Sequence, residues 1–462
     1  MANPGDFAYT VKQQADIVRI IGDYIKLKKA GAQNYSGLCP FHGEKTASFS
    51  VHATRQFYHC FGCGVSGDVF SFVQKIENVT FSESVRLVAQ KLGIPLPKAS
   101  YATPAEAKEA RLRGQLLDAH ERAAAFFQDC LQRPEGARAR EYLSGRGLSD
   151  EMIAAFHIGY APDSGFLLRD RLAAEFGEEV LRESGLFSWK DATSPQPRVP
   201  STPAVARDAD AEGVSKLEAR MYSKFRNRVM FPIRSDAGKF IAFTGRTLST
   251  DEKAGPKYLN SPETPIYSKS KVLFNLDHAK EAIRKLDYAI LVEGQMDCIS
   301  VYAAGFHNVI ASSGTAFTEL QAKLLGRFSK NVVVNFDPDT AGAKATERTL
   351  GLLVEEEFQI KVLTLEQGFD PDLFIRRKGK DAYGEALRGS QKYFDYLIDR
   401  ARTHFPVRSA EGKKNAVNYL LPHIQRVPSR IVRDELAQEI AQKLAIDSAV
   451  LRQELRHTAA AR

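Results

Sequence analysis

Three separated groups of residues in this chain have types and spacings that could do chemistry. The first is Cys39-Pro-Phe-His42, followed after 17 residues by Cys60-Phe-Gly-Cys63. Two knuckles that each present two ligands have zinc-ribbon spacing and can close a tetrahedral site, with bonds of about 2.0–2.3 Å and no open position. The metal would then be structural, one Zn2+ per chain, and would hold together a module too small to be secure without it. His52 and His59 rival His42 as the fourth ligand. Arg55, Phe57, Tyr58, His59 and Phe61 surround the cluster, a mixture suited to phosphate contact and base stacking; core packing of Phe57 and Phe61 is the other reading.

The second group is acidic. The apolar run Ala289-Ile-Leu-Val292 leads directly into Glu293-Gly-Gln-Met-Asp297, and Val332-Val-Val-Asn-Phe336 leads into Asp337-Pro-Asp339. A further pair, Asp370 and Asp372, follows the run Val362-Leu-Thr-Leu365. Acids at strand ends are often turn formers or helix caps. Repeated after successive buried strands, they describe one sheet edge crowded with carboxylates, which ionise together only around divalent cations. Mg2+ is the expected ion, with Mn2+ as a substitute. Two ions about 4 Å apart could activate a hydroxyl, align it with an α-phosphate and balance a pyrophosphate leaving group.

The third group is basic. Between 213 and 257 stand ten Lys and Arg against four Asp and Glu. Lys224, Arg226 and Arg228 enter the apolar run Val229-Met-Phe-Pro-Ile233, and Arg246 follows Phe240-Ile-Ala-Phe243. Both clusters could line a groove that tracks a phosphate backbone; a solvated charged face is the plainer reading.

These groups need elements to hold them. At 462 residues the chain should divide into several domains. A net charge of +8 and a pI near 9.0 favour anionic partners. No apolar run approaches the ~20 residues that cross a bilayer, so a soluble cytosolic protein is expected. With three of five cysteines in the metal cluster, Cys130 and Cys298 read as core residues and no disulfide framework is implied. Residues 1–33 read as one helix with an apolar face at Ile17, Val18, Ile20 and Ile21, ended at Gly31. Short strands surround the cysteines, and helical periodicity returns from Gly67. A module over 1–100, a linker over 101–111, a basic part over 112–286 with a flexible proline-rich insertion at 188–213, an acid-bearing α/β unit over 287–369 and a helical part over 370–462 follow. The fold class is multidomain α/β.

This order resembles the DnaG family of bacterial primases over nearly the whole chain. The Cys39 to Cys63 cluster is similar to that family's zinc-binding domain, which implies contact with the template. Glu141-Tyr-Leu-Ser-Gly-Arg-Gly-Leu-Ser149, Phe225-Arg-Asn-Arg-Val-Met-Phe-Pro-Ile233 and Pro256-Lys-Tyr-Leu-Asn-Ser-Pro-Glu-Thr264 match polymerase-core motifs. The acidic runs resemble the two halves of a Toprim domain, the metal-binding fold shared with topoisomerases. The resemblance implies template-directed synthesis of short RNA primers on single-stranded DNA from ribonucleoside triphosphates. Glu293, Asp337 and Asp339 would hold magnesium, with Asp297, Asp370 and Asp372 completing the acidic edge. Arg146, Lys224, Arg226, Arg228, Arg246, Lys257, Tyr258, Asn260 and Lys269 would face template and nucleotide phosphates. The family's Asp-Gly-Asp is here Asp337-Pro338-Asp339, which stiffens the turn and keeps both carboxylates.

Because the chain stops soon after Arg456, the helical domain through which relatives bind the replicative helicase is expected to be missing, and helicase contact with it. A cytoplasmic monomer working at the nucleoid and replication fork is expected, without membrane attachment. A topoisomerase would need a tyrosine nucleophile in a separate domain. A helicase fusion would need a G-x-x-x-x-G-K-[ST] loop, whose spacing Gly342-Ala-Lys-Ala-Thr346 lacks. A non-catalytic single-strand-binding accessory protein would have no use for the acids.

Overall fold

The computed structural model describes residues 4–42, 44, 46–77, 81–95, 104–189, 221–249, 255–313, 316–336 and 340–460. Two compact units divide the chain, Met1–Ala107 and Lys108–Arg462.

The first unit opens with two helices where one was expected, α1 (Pro4–Gln14) and α2 (Ile17–Gly22). Asp16 causes the break: its backbone is extended and its carboxylate accepts the amides of Val18 and Arg19 at 2.9 and 3.4 Å, which starts a new helix. The chain then forms an antiparallel sheet of β1 (Lys28–Lys29), β2 (Asn34–Gly37), β3 (Phe49–His52), β4 (Phe57–Cys60) and β5 (Ser66–Gly67), paired in that order. Helices α3 (Val69–Glu77) and α4 (Phe81–Lys91) follow. Phe49 stacks on Tyr58 at 5.1 Å, and Phe72 meets the Tyr58 ring edge-on at 5.5 Å. The alternation of β4 sends Tyr58 and Cys60 inward and leaves Phe57 and Phe61 exposed, Phe61 by 77%. Of the two readings of those phenylalanines, core packing fails.

The second unit begins in α5 (Pro104–Gln132). Residues 104–111 of the expected linker are therefore helical: their Ala, Glu and Lys content favours helix, and they lack an apolar stripe because most of them face solvent. Then come α6 (Ala137–Gly145), α7 (Asp150–Ala155), β6 (Gly159–Ala161), α8 (Leu167–Ala173), α9 (Glu178–Glu183), β7 (Phe187–Trp189), β8 (Met221–Ser223), β9 (Arg228–Arg234), β10 (Phe240–Thr247) and β11 (Tyr258–Asn260). Strands β11, β10, β9 and β6 form an antiparallel sheet in that order, and β7 pairs with β8. Of the expected insertion, Ser188 and Trp189 lie in β7 and the rest falls outside the described residues.

Next follow α10 (Leu276–Leu286), β12 (Ala289–Val292), α11 (Gln295–Ala303), β13 (Val309–Ala311), α12 (Glu319–Leu325), β14 (Asn331–Val334), α13 (Thr340–Glu355), β15 (Gln359–Val362), α14 (Pro371–Arg388) and β16 (Gln391–Lys392). Their sheet runs β13-β12-β14-β15-β16, parallel except for the β16 edge. All four residues of β12 are inaccessible, as expected of a central strand covered on both faces. The chain leaves β12 for β13 on one side and returns to β14 on the other. That reversal is a topological switch point, where open α/β sheets place their sites. Strand β15 lies three residues earlier than expected, because Leu363 and Leu365 leave the sheet for the core. Helices α15 (Tyr393–His404), α16 (Ala410–Gln425), α17 (Arg430–Leu444) and α18 (Ser448–Ala460) close the chain, with Leu397, Leu420, Ile440 and Leu451 packing with Val332 and Val334 of the parallel sheet in one core. Among the described residues no helix is long and apolar enough to cross a membrane. Cys130 and Cys298 are core residues, both fully buried.

Candidate zinc and nucleotidyl-transfer sites

In the first unit, one ligand atom from each of Cys39, His42, Cys60 and Cys63 lies within 4.8 Å of the other three. Cys39 Sγ stands 3.9 Å from Cys63 Sγ, and His42 Nδ1 stands 3.8 Å from Cys60 Sγ. Ligands about 2.3 Å from a tetrahedral zinc are themselves roughly 3.7 Å apart, so the four fit that ion. Knuckle amides support the sulfurs: Phe41 N–H points to Cys39 Sγ at 3.4 Å and Cys63 N–H to Cys60 Sγ at 3.5 Å. His52 and His59 take no part; the first stacks on Phe57 and the second meets Phe61 edge-on.

Sequence reasoning missed Glu44. Its carboxylate accepts the amides of Cys39 and Ser48 at 2.7 and 3.1 Å and lies 3.3 Å from His42 Nε2. A carboxylate on the far nitrogen fixes the tautomer and turns Nδ1 towards the metal. Gly62 is required beside it, since a Cβ there would lie 2.6 Å from His42 Nε2.

In the second unit, β12 delivers Glu293 to the carboxyl edge of the parallel sheet, half-buried at the switch point. Strand β14 reaches the same edge alongside it, the Asn335 amide donating to Leu291 O at 2.9 Å. Asp337 and Asp339 lie outside the described residues. Asp297 occupies the first turn of α11, and the Asp372 amide donates to its Oδ1 at 3.3 Å. Burial, then the charges of Asp370, Asp372 and Glu293, push the Asp297 carboxyl up to about 7. Asp370 caps α14 through the Leu373 amide at 2.6 Å. Asp372 is 1% exposed and bonded to Ser300, Arg146 and Arg376.

The basic residues divide. Arg146, at the end of α6, and Arg246, on β10, both lie over the Tyr142 ring, at 5.4 and 4.0 Å. Tyr258 on β11 joins them: burial raises its hydroxyl to about 12, with Tyr142, Arg246, Asp297 and Arg146 as its charged or ionisable neighbours. The acidic edge and this cation and aromatic group are thus one site. Asn260 belongs to its frame: Gln295 donates to Thr244 Oγ1 at 3.0 Å, and Thr244 donates to Asn260 Oδ1 at 2.7 Å. Arg226 and Lys257 are exposed. Lys224 is lowered by burial and by the charge of Lys269, so those two lysines are neighbours. Arg228 does not line an open groove: it is 4% exposed and donates to the carbonyls of Gly245 and Pro256, both at 3.0 Å. Tyr142, Ser300 and Arg376 were missed; Arg376 carried a signal, four residues after Asp372 on one helix face.

Comparison with known proteins matches four family patterns: the CHC2 zinc finger at residues 4–103, the N-terminal domain of the DNA primase catalytic core at 126–198 and 205–280, a Toprim-like domain at 290–375, and the DnaB-helicase binding domain of primase at 394–456. The DNA primase of Halalkalibacterium halodurans is 36% identical over 98% of this chain and 70% of its own length. That of Enterococcus faecalis is 37% identical over 96% of this chain and 68% of its own length. The crystal structure of the zinc-binding and RNA polymerase domains of Aquifex aeolicus primase superposes with a TM-score of 0.60 at 30% identity, covering 98% of this chain and 99% of that one. The DnaG primase catalytic domain bound to single-stranded DNA gives 0.61 at 31% identity, covering 74% of this chain and 99% of that one.

The fourth match corrects the expectation that a helicase-binding domain is missing: α15 to α18 carry it. Periodicity showed these segments to be helical, but an amphipathic pattern reports burial and not the partner. With all four patterns in order, and with relatives of this identity and coverage, the chain belongs to the DnaG family of bacterial DNA primases.

Proposed function

We propose that this primase, a nucleotidyltransferase that copies single-stranded DNA into short RNA primers, joins nucleotides at the edge formed by Glu293, Asp297, Asp370, Asp337 and Asp339, with Mg2+ as its ion. The observation that carries the reading is Asp297, a half-buried carboxyl whose Oδ1 accepts the Asp372 amide and which desolvation and the charges of Asp370, Asp372 and Glu293 raise to about 7, in a site that also holds Arg146, Arg246 and Tyr258. Carboxylates gathered in that way call for divalent cations. Bound cations would supply charge balance for the triphosphate and a lowered pKa for the attacking hydroxyl. Glu293 accepts the proton of the primer 3′-hydroxyl as its oxygen bonds to the α-phosphorus, while the bond to the β-phosphate oxygen breaks and pyrophosphate departs. Arg146 and Arg246, fixed against Tyr142, hold phosphate oxygens. Lys257 and Arg226 extend the positive surface, Lys224 and Lys269 add a second point of phosphate contact, and Arg228 keeps β9, β10 and the Pro256 turn together.

Segment 394–456 is the proposed contact for the replicative helicase, by its likeness to the helicase-binding domain. Primer synthesis is tested by incubating the protein with single-stranded templates, labelled ribonucleotides and magnesium, with and without chelator, alongside Glu293→Gln. Short RNA products that need the metal and vanish in the variant while template binding persists are expected. Undiminished products from the variant would refute the assignment, and no product on any template would favour a non-catalytic single-strand-binding protein.

A further inference from the structure

We propose that Asp372 is a positioning residue that acts through Arg146, and that it does not hold metal. The proposal rests on the site reading given above, in which Arg146 meets phosphate.

Asp372 sits in the first turn of α14 with 1% of its side chain exposed. Its two oxygens are occupied from three directions. Ser300 of α11 donates to Oδ1 at 2.7 Å. Arg376, one turn along α14, places Nε 3.2 Å from both oxygens and a terminal nitrogen 2.9 Å from Oδ2. Arg146 comes from 226 residues away in sequence and bonds Oδ2 at 2.5 Å. A carboxylate offers about four lone-pair sites, and these donors fill them. A divalent cation would have to displace a guanidinium and then sit against two like charges. Asp297 and Asp370 differ: among the described residues no arginine bonds either carboxylate, and the charge of Asp370 raises the Asp297 carboxyl.

The pairing places Arg146. One nitrogen of its fork is bound to Asp372, its guanidinium lies over Tyr142 of its own helix, and a quarter of the side chain remains exposed. Gly147 ends α6 there with φ of 75°, and a Cβ built on it would lie 3.9 Å from the Arg376 side chain. The shared carboxylate lets two arginines stand side by side, and Arg146 keeps donors for an anion. The ligand chemistry is a phosphate oxygen, from the incoming triphosphate or from the template backbone.

The experiment measures primer synthesis by the full chain with Asp372→Asn, Arg146→Ala and the double variant. KM for nucleotide, Kd for single-stranded DNA and the Mg2+ concentration giving half-maximal rate are read separately. Loss of one charge-assisted contact should raise either KM or Kd roughly tenfold; the constant that moves identifies the source of the phosphate. The Mg2+ requirement should stay unchanged, and the double variant should be no worse than Arg146→Ala. Because Asp372→Asn strands two guanidinium groups, Asp372→Asn with Arg376→Gln is made as well. It restores the charge balance and should fold with the same rise in KM or Kd. A tenfold shift in the Mg2+ requirement, or fully additive losses in the Arg146 and Asp372 variants, would overturn the proposal. Glu293→Gln keeps the two readings apart: if it leaves synthesis intact the site itself is wrong, whereas if it abolishes synthesis and Asp372→Asn shifts the metal requirement, only the positioning role falls.

Discussion

Replacing Asp297 by Asn should make the metal-free protein more stable and a poorer enzyme. Desolvation and the neighbouring acids push its carboxyl in the folded protein from the usual 3.8 up to about 7. Below 3.8 both states are protonated and the group is neutral to folding. As pH rises to 7, the unfolded chain gives up its proton while the folded one keeps it, so stability falls; above 7 both are ionised and the full penalty is present. At ~1.36 kcal/mol per unit, the penalty near pH 8 has a ceiling of about 4 kcal/mol. Asn keeps the shape and still accepts the Asp372 amide. In chelator near pH 8, the variant should melt several degrees above the parent, up to roughly 8 °C, and the gap should close as pH falls towards 4. Magnesium reverses the order, since a cation among the acids favours the ionised parent. Melting followed by circular dichroism, with chelator and with magnesium across pH, reads both effects. A variant that melts no higher than the parent in chelator at pH 8, or that gains as much from magnesium, would refute the reasoning.

Glu44→Gln keeps the size of the group that fixes His42 but removes its charge; zinc affinity, measured by competition with a chromogenic chelator, should fall roughly 10-fold to 100-fold, and equal affinities would show that His42 is oriented by something else. His120 is fully buried in α5, stacked on Phe243, and burial lowers it to about 4. Because the unfolded chain binds its proton first, stability is lost as pH falls from about 6.5 to 4, with a ceiling of ~3 kcal/mol. His120→Phe should flatten that part of the melting curve against pH, and an unchanged slope would mean that His120 is not its source. Arg246→Ala should weaken single-stranded DNA binding and reduce the slope of log K against log salt by about 0.7; an unchanged slope would place Arg246 away from the template.

The parts of the site that could be read in the sequence are those whose chemistry is local. Four zinc ligands in two short knuckles set their own geometry, and the buried run at Ala289 makes the position of Glu293 follow from strand alternation and length. Relations across the chain were not visible. Nothing near Asp372 announces that Arg146 will arrive from α6, so the residue looked like one more acid at the edge. A run of Lys and Arg does not say which member turns inward, and Arg228, at the start of a strand buried in all but its last residue, was counted with the more accessible Lys224 and Arg226. The three residues of β13 are too few to show a period. Asp16 was a cap inside an apolar stripe that otherwise read as continuous.

The line from Gln295 through Thr244 to Asn260 ties α11, which carries Asp297, to β10 and β11, which carry Arg246 and Tyr258. Thr244 is fully buried and Gln295 nearly so, and breaking such a line away from water strands polar atoms. It acts as a strut between α11 and the antiparallel sheet. A closing motion during nucleotide addition would therefore find its hinge away from this seam, and a substitution at Thr244 would loosen the alignment of charges without removing any of them.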